Sequence, residues 1–275
     1  MHNTNIYLLE PTHKITVVLI GIGGTGSRLL PLLGQLHATL TKLGHPGLYV
    51  RVFDNDTVEA PNIGRQLFSE SDIGEYKAKV AVERVNRFFG TEWDFELEKY
   101  SRKNHLLGNI MISCVDSLSA RREIKYCLDT FHPQRQERGM DNLWERPFYW
   151  LDSGNGRKYG QVVLGTSKQN CVEKKDMLPD VFDMFPQWLI QEDDGDEPSC
   201  SLEEAIGKQD LFICNTMATY ASQLIWQLLK QGKIDYHGAF INLETLTTSP
   251  IKIKKYELEY ANPTRRSNPK RDWSM

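Results

Sequence analysis

The stretch V-L-I-G-I-G-G-T-G-S, residues 18–27, decides the fold of this 275-residue chain. The β-branched apolar residues 15–20 predict a buried strand, and leucines at helical spacing over 29–43 predict a helix. A strand, a glycine turn and a helix N-terminus predict a phosphate-binding turn, which serves NAD, FAD, ATP and methyl donors alike. The glycines expected to approach the ligand are Gly21, Gly23, Gly24 and Gly26.

Strands and helices alternate along the rest of the chain, which predicts an α/β fold with a doubly wound, mainly parallel, Rossmann-like sheet. Further strands are expected at 48–53, 93–100, 109–115, 148–152, 160–166, 240–246 and 251–258, with helices at 77–89, 118–131 and 211–230. One domain is expected over 1–261: a nucleotide-binding core at 14–131, a crossover loop at 167–200, and a C-terminal helix and strands at 201–260. The basic tail 262–275 is expected to be disordered.

Composition excludes several classes of protein. The 33 basic and 36 acidic residues nearly cancel, which disfavours a general nucleic-acid binder. No apolar run approaches the roughly 18 to 20 residues that span a bilayer, and the run 15–20 is too short for a signal peptide. We therefore expect a cytoplasmic protein that does not insert into membranes. Five cysteines without a C-x-x-C pair argue against a disulfide framework and against zinc.

Polar residues beyond the second predicted strand are candidates for holding the nucleotide. Asp54 follows that strand and is expected to accept hydrogen bonds from ribose hydroxyls. Asp56 lies two residues later and is as compatible with a simple strand-end turn. Asn62 and Gln66 can position oxygen atoms.

The presence of Arg65 distinguishes a predicted adenylation site from a predicted hydride-transfer site. The phosphates of a hydride-transfer cofactor do not react, whereas adenylation builds charge on oxygens that cations must stabilise. Arg65 and Lys77 can supply those cations. Asp116, expected at the end of a sheet strand, can hold magnesium together with a polyphosphate. The less favoured alternative is that it caps the following helix.

The motifs G-I-G-G-T-G, F-D-N-D-T-V-E, N-I-G-R-Q, G-E-Y-K and C-V-D-S resemble those of the ThiF/MoeB family, bacterial relatives of ubiquitin-activating enzymes. The resemblance is specific over about 14–120 and looser beyond. The later motifs P-S-C-S-L, D-L-F-I-C-N-T and F-I-N-L are similar to those of ThiF-related members from the PRTRC gene cassette.

The resemblance implies an adenylyltransferase that binds ATP and Mg²⁺. Its substrate would be the C-terminal glycine carboxylate of a small ubiquitin-like or sulfur-carrier protein. Carried over by residue, the glycine turn, Asp54 and Asp56 would hold ATP, and Asp116 would bind the metal. The side chains implied to contact the phosphates are those of Asn62, Arg65, Gln66 and Lys77.

Two departures from the family pattern concern assembly and zinc. Members often form homodimers in which an N-terminal arginine reaches the partner's ATP site, yet residues 1–27 contain no arginine. Many bacterial members carry two C-x-x-C pairs for zinc, which this chain lacks.

Cys200 is the candidate acceptor for a thioester. It directly precedes a predicted helix whose Ser201 and Glu204 match a capping box, and a helix N-terminus lowers the pKa of a nearby thiol. The acidic run 192–197 would oppose a thiolate, and a buried packing role is about as compatible with the sequence. Cys114, Cys127 and Cys214 are expected in the core.

Three other functions are compatible with the sequence. One is an adenylating relative that acts on a peptide or a tRNA base, and another is a non-catalytic nucleotide-binding scaffold. A nicotinamide-dependent dehydrogenase is the third, and Arg65 argues against it.

Overall fold

A computed structural model describes residues 1–131, 143–170, 176–193 and 210–253. Within these ranges the strands are β1 His2–Asn3, β2 Ile15–Ile20, β3 Leu48–Phe53, β4 Asp94–Glu96, β5 Ile110–Ser113, β6 Tyr149–Asn155, β7 Tyr159–Thr166, β8 Lys233–Ile234, β9 Tyr236–Asn242 and β10 Thr247–Lys252. One mixed sheet has the order β10-β9-β7-β6-β5-β2-β3-β4. Pairing is parallel from β6 to β4 and antiparallel from β6 to β10, while β1 pairs separately with β8.

Helices cover both faces of this sheet. The α-helices of the described ranges are α1 Ile6–Leu9, α2 Gly24–Lys42, α3 Lys77–Phe89, α4 Leu118–Thr130, α5 Val181–Met184 and α6 Ile213–Trp226. Short 3₁₀ turns occur at Ala60–Asn62, Glu70–Asp72, Leu143–Glu145, Lys168–Asn170 and Pro186–Leu189, and a π turn at Gln227–Gln231 follows α6. The α/β class and the doubly wound, Rossmann-like sheet predicted from the sequence are therefore confirmed.

Successive side chains of β2 point into two different cores. Val17 and Leu19 pack into the cluster that contains the buried faces of α2, α3 and α6, whereas Val18 and Ile20 pack with residues of α4 and α5. Alternate residues of a strand face opposite sides, so a sheet covered twice requires a continuous apolar run. This is the reason that the run 15–20 shows no polar alternation.

The hairpin that joins β6 and β7 differs from the prediction. The sequence S-G-N-G, 153–156, predicts a turn, but Ser153 to Asn155 extend β6 and the hairpin closes where the Gly156 N–H donates to the Tyr159 carbonyl at 2.9 Å. Glycine at 154 serves close packing instead, because a Cβ there would lie 2.8 Å from Arg121 Nη2. The turn composition was outweighed by pairing with β7 along the whole strand.

Three other predicted boundaries were also wrong. The strand expected over 93–100 is only the three-residue β4, β9 lies four residues earlier than expected, and β10 begins four residues earlier than expected. The turn that joins those two strands is at 243–246, where Leu246 has a φ of +54°. Residues 254–258 of the last predicted strand lie outside the described residues. The described part of the crossover contains α5 and the 3₁₀ turns Lys168–Asn170 and Pro186–Leu189. The capping box at Ser201, most of the acidic run and the basic tail lie outside the described residues. The single-domain boundaries stay a prediction.

Candidate nucleotide-binding site

The glycine turn lies at the carboxyl end of β2, the central strand at which the sheet reverses its order, which is where ligands bind in such folds. Gly21 has a φ of +90°, a backbone conformation that favours glycine. A Cβ at Gly26 would lie 1.9 Å from the Gly21 carbonyl oxygen, so the first turn of α2 packs directly on the glycine turn. Gly23 is the N-cap of α2 and provides no side-chain cap, and therefore backbone donors at this helix end can face a ligand.

Asp54 is hydrogen-bonded to the glycine turn. Its Oδ2 accepts a hydrogen bond from the Ile22 N–H at 2.6 Å, and its Oδ1 accepts one from the Asp56 N–H at 2.8 Å. Burial raises the pKa of this carboxyl, and the two backbone donors oppose that rise. The carboxylate is thus fixed in orientation beside the turn, where the sequence predicts a ribose.

Lys77 and Asp56 form an ion pair across the loop between β3 and α3. Lys77 Nζ lies 2.9 Å from Asp56 Oδ2, and the Lys77 N–H donates to the Asp56 carbonyl at 2.9 Å. The lysine side chain is 9% exposed, whereas the aspartate side chain is 60% exposed. The buried lysine therefore has a counterion at the protein surface, and Asp56 has a structural role in addition to the expected contact with ATP.

The N-I-G-R-Q loop is attached to the first two turns of α2. Arg28 Nη2 donates to the Arg65 carbonyl at 2.9 Å, and the Leu67 N–H donates to Ser27 Oγ at 3.2 Å. These bonds link positions 37 and 40 residues apart. They attach the backbone of the Arg65 loop to α2, and the role of the Arg65 side chain stays a prediction. Arg28 was not among the candidates.

Gln66 and Asn62 differ in how their amide groups are engaged. Asn62 Oδ1 accepts from the Glu59 N–H at 2.9 Å and closes a local capping box. Gln66 is 6% exposed, and its Oε1 has no hydrogen-bond partner among the residues that the structure describes. Buried polar atoms are nearly always satisfied, so an unpartnered amide oxygen in this loop indicates that a ligand or water completes it.

Side chains from β6 and α6 complete the surroundings of the α2 N-terminus, and the sequence did not point to them as site residues. Thr25 Oγ1 donates to Asn155 Oδ1 at 3.2 Å. Cys214 lies beside this pair; burial raises the pKa of its thiol, while Thr25 and the charges of Arg65 and Arg28 oppose the rise. Its predicted burial is confirmed, as is that of Cys127, whereas Cys114 is only partly buried. Cys171 and Cys200 lie outside the described residues.

Asp116 lies in the exposed loop between β5 and α4. Ser117 is the N-cap of α4, with its side chain accepting from the Ala120 N–H, so the capping alternative for Asp116 is wrong. The Asp116 carboxylate makes no hydrogen bond or ion pair with any described residue. Across 1–131, 143–170, 176–193 and 210–253, no group of three or more His, Cys, Asp or Glu side chains is arranged to hold a metal ion. A magnesium ion at Asp116 would thus depend on phosphate oxygens and water, which is how Mg²⁺ commonly binds.

A buried polar cluster underlies the ends of β5 and β6. Asp152 Oδ1 accepts from Arg121 Nε at 2.9 Å and from Ser113 Oγ at 2.6 Å, and Trp150 Nε1 donates to Ser113 Oγ at 2.8 Å. The side chains of Arg121 and Asp152 are 5% and 1% exposed. This cluster fixes the strand ends that carry Cys114 and Asn155.

Comparisons with known proteins agree with this geometry. A model of the ThiF family matches residues 8–266. The NEDD8-activating enzyme E1 catalytic subunit of Caenorhabditis elegans is 34% identical over 120 residues, which cover 42% of this chain and 26% of that protein. The chain therefore matches about a quarter of the length of this curated relative.

Two solved structures show the same fold. E. coli MccB has a TM-score of 0.56 at 14% identity over 92% of this chain and 66% of its own, and it has also been solved with ATP. PaaA has a TM-score of 0.54 at 13% identity, covering 87% of this chain and 64% of its own. In the described part of the chain, no helix combines the length and apolarity needed to cross a membrane.

Proposed function

The chain belongs to the ThiF family, and on this premise we propose that it adenylates the C-terminal glycine carboxylate of a small ubiquitin-like or sulfur-carrier protein. ATP and Mg²⁺ are the proposed co-substrate and metal. The observation that carries the proposal is the attachment of the Arg65 loop to α2 beside the glycine turn.

The proposed binding mode follows from the order of groups around the turn. Asp54 takes the ribose, because its carboxylate is fixed beside the Ile22 amide. The α-phosphate meets the backbone N–H groups at the start of α2, and Arg65 and Lys77 face the phosphate oxygens. The unpartnered Gln66 Oε1 accepts a hydrogen bond from the nucleotide or from water bound to it.

The proposed chemistry is attack on the α-phosphorus by the carrier carboxylate, with pyrophosphate as the leaving group. Negative charge grows on the bridging and non-bridging oxygens during this displacement, and fixed cations in a partly buried site stabilise it. Arg65 and Lys77 supply that charge without reorganisation, because backbone bonds and an ion pair hold their loops in place. Magnesium, held by Asp116 and phosphate oxygens, would neutralise charge on the triphosphate.

The comparisons support ATP-dependent activation more strongly than they support a particular carrier. The curated relative is the catalytic subunit of an enzyme that activates NEDD8, and MccB of the same fold has been solved with ATP. Retention of Arg65, Lys77 and Asp116 argues against a scaffold that only binds nucleotide. The thioester on Cys200 and the homodimer implied by the resemblance are part of the proposal.

The test is ATP–pyrophosphate exchange by the purified chain with candidate ubiquitin-like proteins that end in glycine. Exchange is expected with the cognate carrier and is lost when its last glycine is deleted, which is the matched control. Exchange that depends on a peptide or a tRNA instead would identify that molecule as the substrate and contradict the proposed carrier protein. A folded chain that binds ATP and exchanges with none of them would contradict enzymatic activity.

The thioester is tested separately. Intact-protein mass spectrometry is expected to show a carrier adduct that dithiothreitol removes and that is absent in C200S. A matched C127S variant, altered at a buried cysteine of α4, is expected to retain the adduct. Exchange without an adduct would restrict the function to adenylation.

A further inference from the structure

Arg28, one turn into α2, has a buried donor that forms no hydrogen bond with any described residue. Its Nη2 donates to the Arg65 carbonyl at 2.9 Å, while its Nε is buried and has no hydrogen-bond partner among the described residues. No carboxylate of the described ranges forms an ion pair with it. A buried guanidinium donor without an acceptor is costly, so its presence indicates an acceptor that comes with a ligand.

A second guanidinium lies beside it. Burial lowers the pKa of Arg28, and the positive charge of Arg65 lowers it further, while the neighbouring Cys214 opposes this. Two like charges brought together by a backbone hydrogen bond form a site for an anion. The acidic groups of the glycine turn, Asp54 and Asp56, are already engaged by backbone amides and by Lys77.

The direction of α2 identifies which part of the anion Arg28 meets. Asp54 binds the Ile22 amide at the ribose end of the turn. Arg28 lies six residues beyond Ile22, one turn into α2, and its guanidinium contacts the loop that carries Arg65. The proposed function assigns the phosphates to that loop, so Arg28 lies on the phosphate side of the ribose, where the outer phosphates extend.

We infer that Arg28 binds the β- and γ-phosphates of ATP, and hence the departing pyrophosphate, together with Arg65. This inference rests on the proposed function for the identity of the nucleotide. It assigns a second guanidinium, supplied by the same chain, to the leaving group. Arg28 then contributes to substrate binding and to charge stabilisation in the displacement.

The test is calorimetric binding of inorganic tripolyphosphate and of AMP to the wild-type chain, R28A, R28K and R87A. Arg87 is an exposed arginine of α3, so R87A is a matched control for the change of charge. Loss of a charge-assisted bond predicts that R28A weakens tripolyphosphate binding about tenfold or more, while AMP binding changes less than about twofold. R28K, which retains a charge, is expected to fall between wild type and R28A, and R87A to behave as wild type.

Unchanged tripolyphosphate affinity in R28A, or no tripolyphosphate binding by the wild type, would overturn the inference. An equal loss of AMP affinity would overturn the assignment to the outer phosphates. Circular dichroism and thermal unfolding establish that each variant is folded, and R28Q, which retains a donor for the Arg65 carbonyl, replaces R28A if that variant unfolds. If the wild type catalyses pyrophosphate exchange and R28A does so at the same rate, the inference is overturned and the proposed function stands. If R28A weakens tripolyphosphate binding but the wild type catalyses no exchange, the inference stands and the proposed function is contradicted.

Discussion

Lys77 Nζ lies 2.9 Å from Asp56 Oδ2, and this ion pair joins the start of α3 to the loop after β3. The lysine side chain is almost buried while its partner is mostly exposed. A phosphate that enters the site can replace or share the aspartate as counterion, so the two residues are expected to differ in their effect on activity.

K77A is expected to lower the rate of ATP–pyrophosphate exchange by more than about tenfold, because it removes a cation that stabilises the charge developing on the phosphate oxygens during adenylyl transfer. D56N leaves that cation in place and retains an amide oxygen at the position expected to contact ATP, so exchange is expected to fall less than about threefold. Steady-state exchange with saturating ATP measures both. A loss in D56N as large as that in K77A would contradict the expectation that the lysine contributes more than its partner.

Two glycines of the turn allow a matched comparison of packing and ligand approach. A Cβ at Gly26 would lie 1.9 Å from the Gly21 carbonyl oxygen, whereas a Cβ at Gly23 would meet no heavy atom within 4 Å. G26A is expected to lower the free energy of unfolding by about 1–3 kcal/mol or more, since backbone must shift. G23A is expected to leave stability within about 1 kcal/mol of the wild type and still weaken ATP binding, because phosphates approach the turn there.

Urea unfolding and ATP calorimetry on both variants check these expectations. Wild-type ATP affinity in G23A would contradict a phosphate position at Gly23.

Local sequence signals pointed to much of this candidate site. The glycine turn and Asp54 follow their strands directly, and the ends of neighbouring parallel strands meet at one sheet edge. Motif spacing made Arg65 a candidate, and the structure bonds its backbone carbonyl to Arg28 of α2. Thr25 and Asn155 lie 130 residues apart in sequence, and only the pairing of β6 with β5 brings them together. Contacts between residues so far apart produce no periodic pattern in the sequence. Arg28 gives no sequence signal either, because it occupies a position that any polar residue of a helix could have.

The Arg121–Asp152 ion pair is expected to stabilise the ends of β5 and β6 beneath the candidate site. Removal of one partner leaves a buried charge without compensation, so R121A and D152A are each expected to cost about 3–5 kcal/mol of unfolding free energy. The double variant R121A/D152A is expected to cost less than the sum of the two. E244A breaks the exposed Lys158–Glu244 pair as a control and is expected to cost less than about 1 kcal/mol. Additive effects in a chemical-denaturation cycle would contradict the coupling.

Two buried histidines predict acid sensitivity. His2 contacts the Asp176 carbonyl and the Tyr149 hydroxyl, each at 2.8 Å, and His237 contacts the Leu164 carbonyl at 3.0 Å. Burial lowers the pKa of both, and the neighbouring His2 lowers that of His237 further. The unfolded chain therefore binds more protons than the folded chain below the ordinary histidine pKa of about 6.5.

The free energy of unfolding is thus expected to fall as the pH drops below about 6.5, by at most about 1.4 kcal/mol per pH unit for each histidine. Urea midpoints at several pH values between 7.5 and 5.5 measure the slope. H237Q, which cannot take up the proton, is expected to flatten it. If H237Q has the same slope as the wild type, groups other than His237 cause the acid sensitivity.

The exchange rate of R65A tests the central claim most directly, which is that cations gathered beside the glycine turn stabilise attack at the innermost phosphorus of ATP. The Arg65 carbonyl, not its side chain, accepts the bond from Arg28, so the backbone link to α2 survives the substitution. We expect folded R65A to lose more than about tenfold in ATP–pyrophosphate exchange, with R87A unchanged. Exchange by R65A at the wild-type rate would contradict the claim.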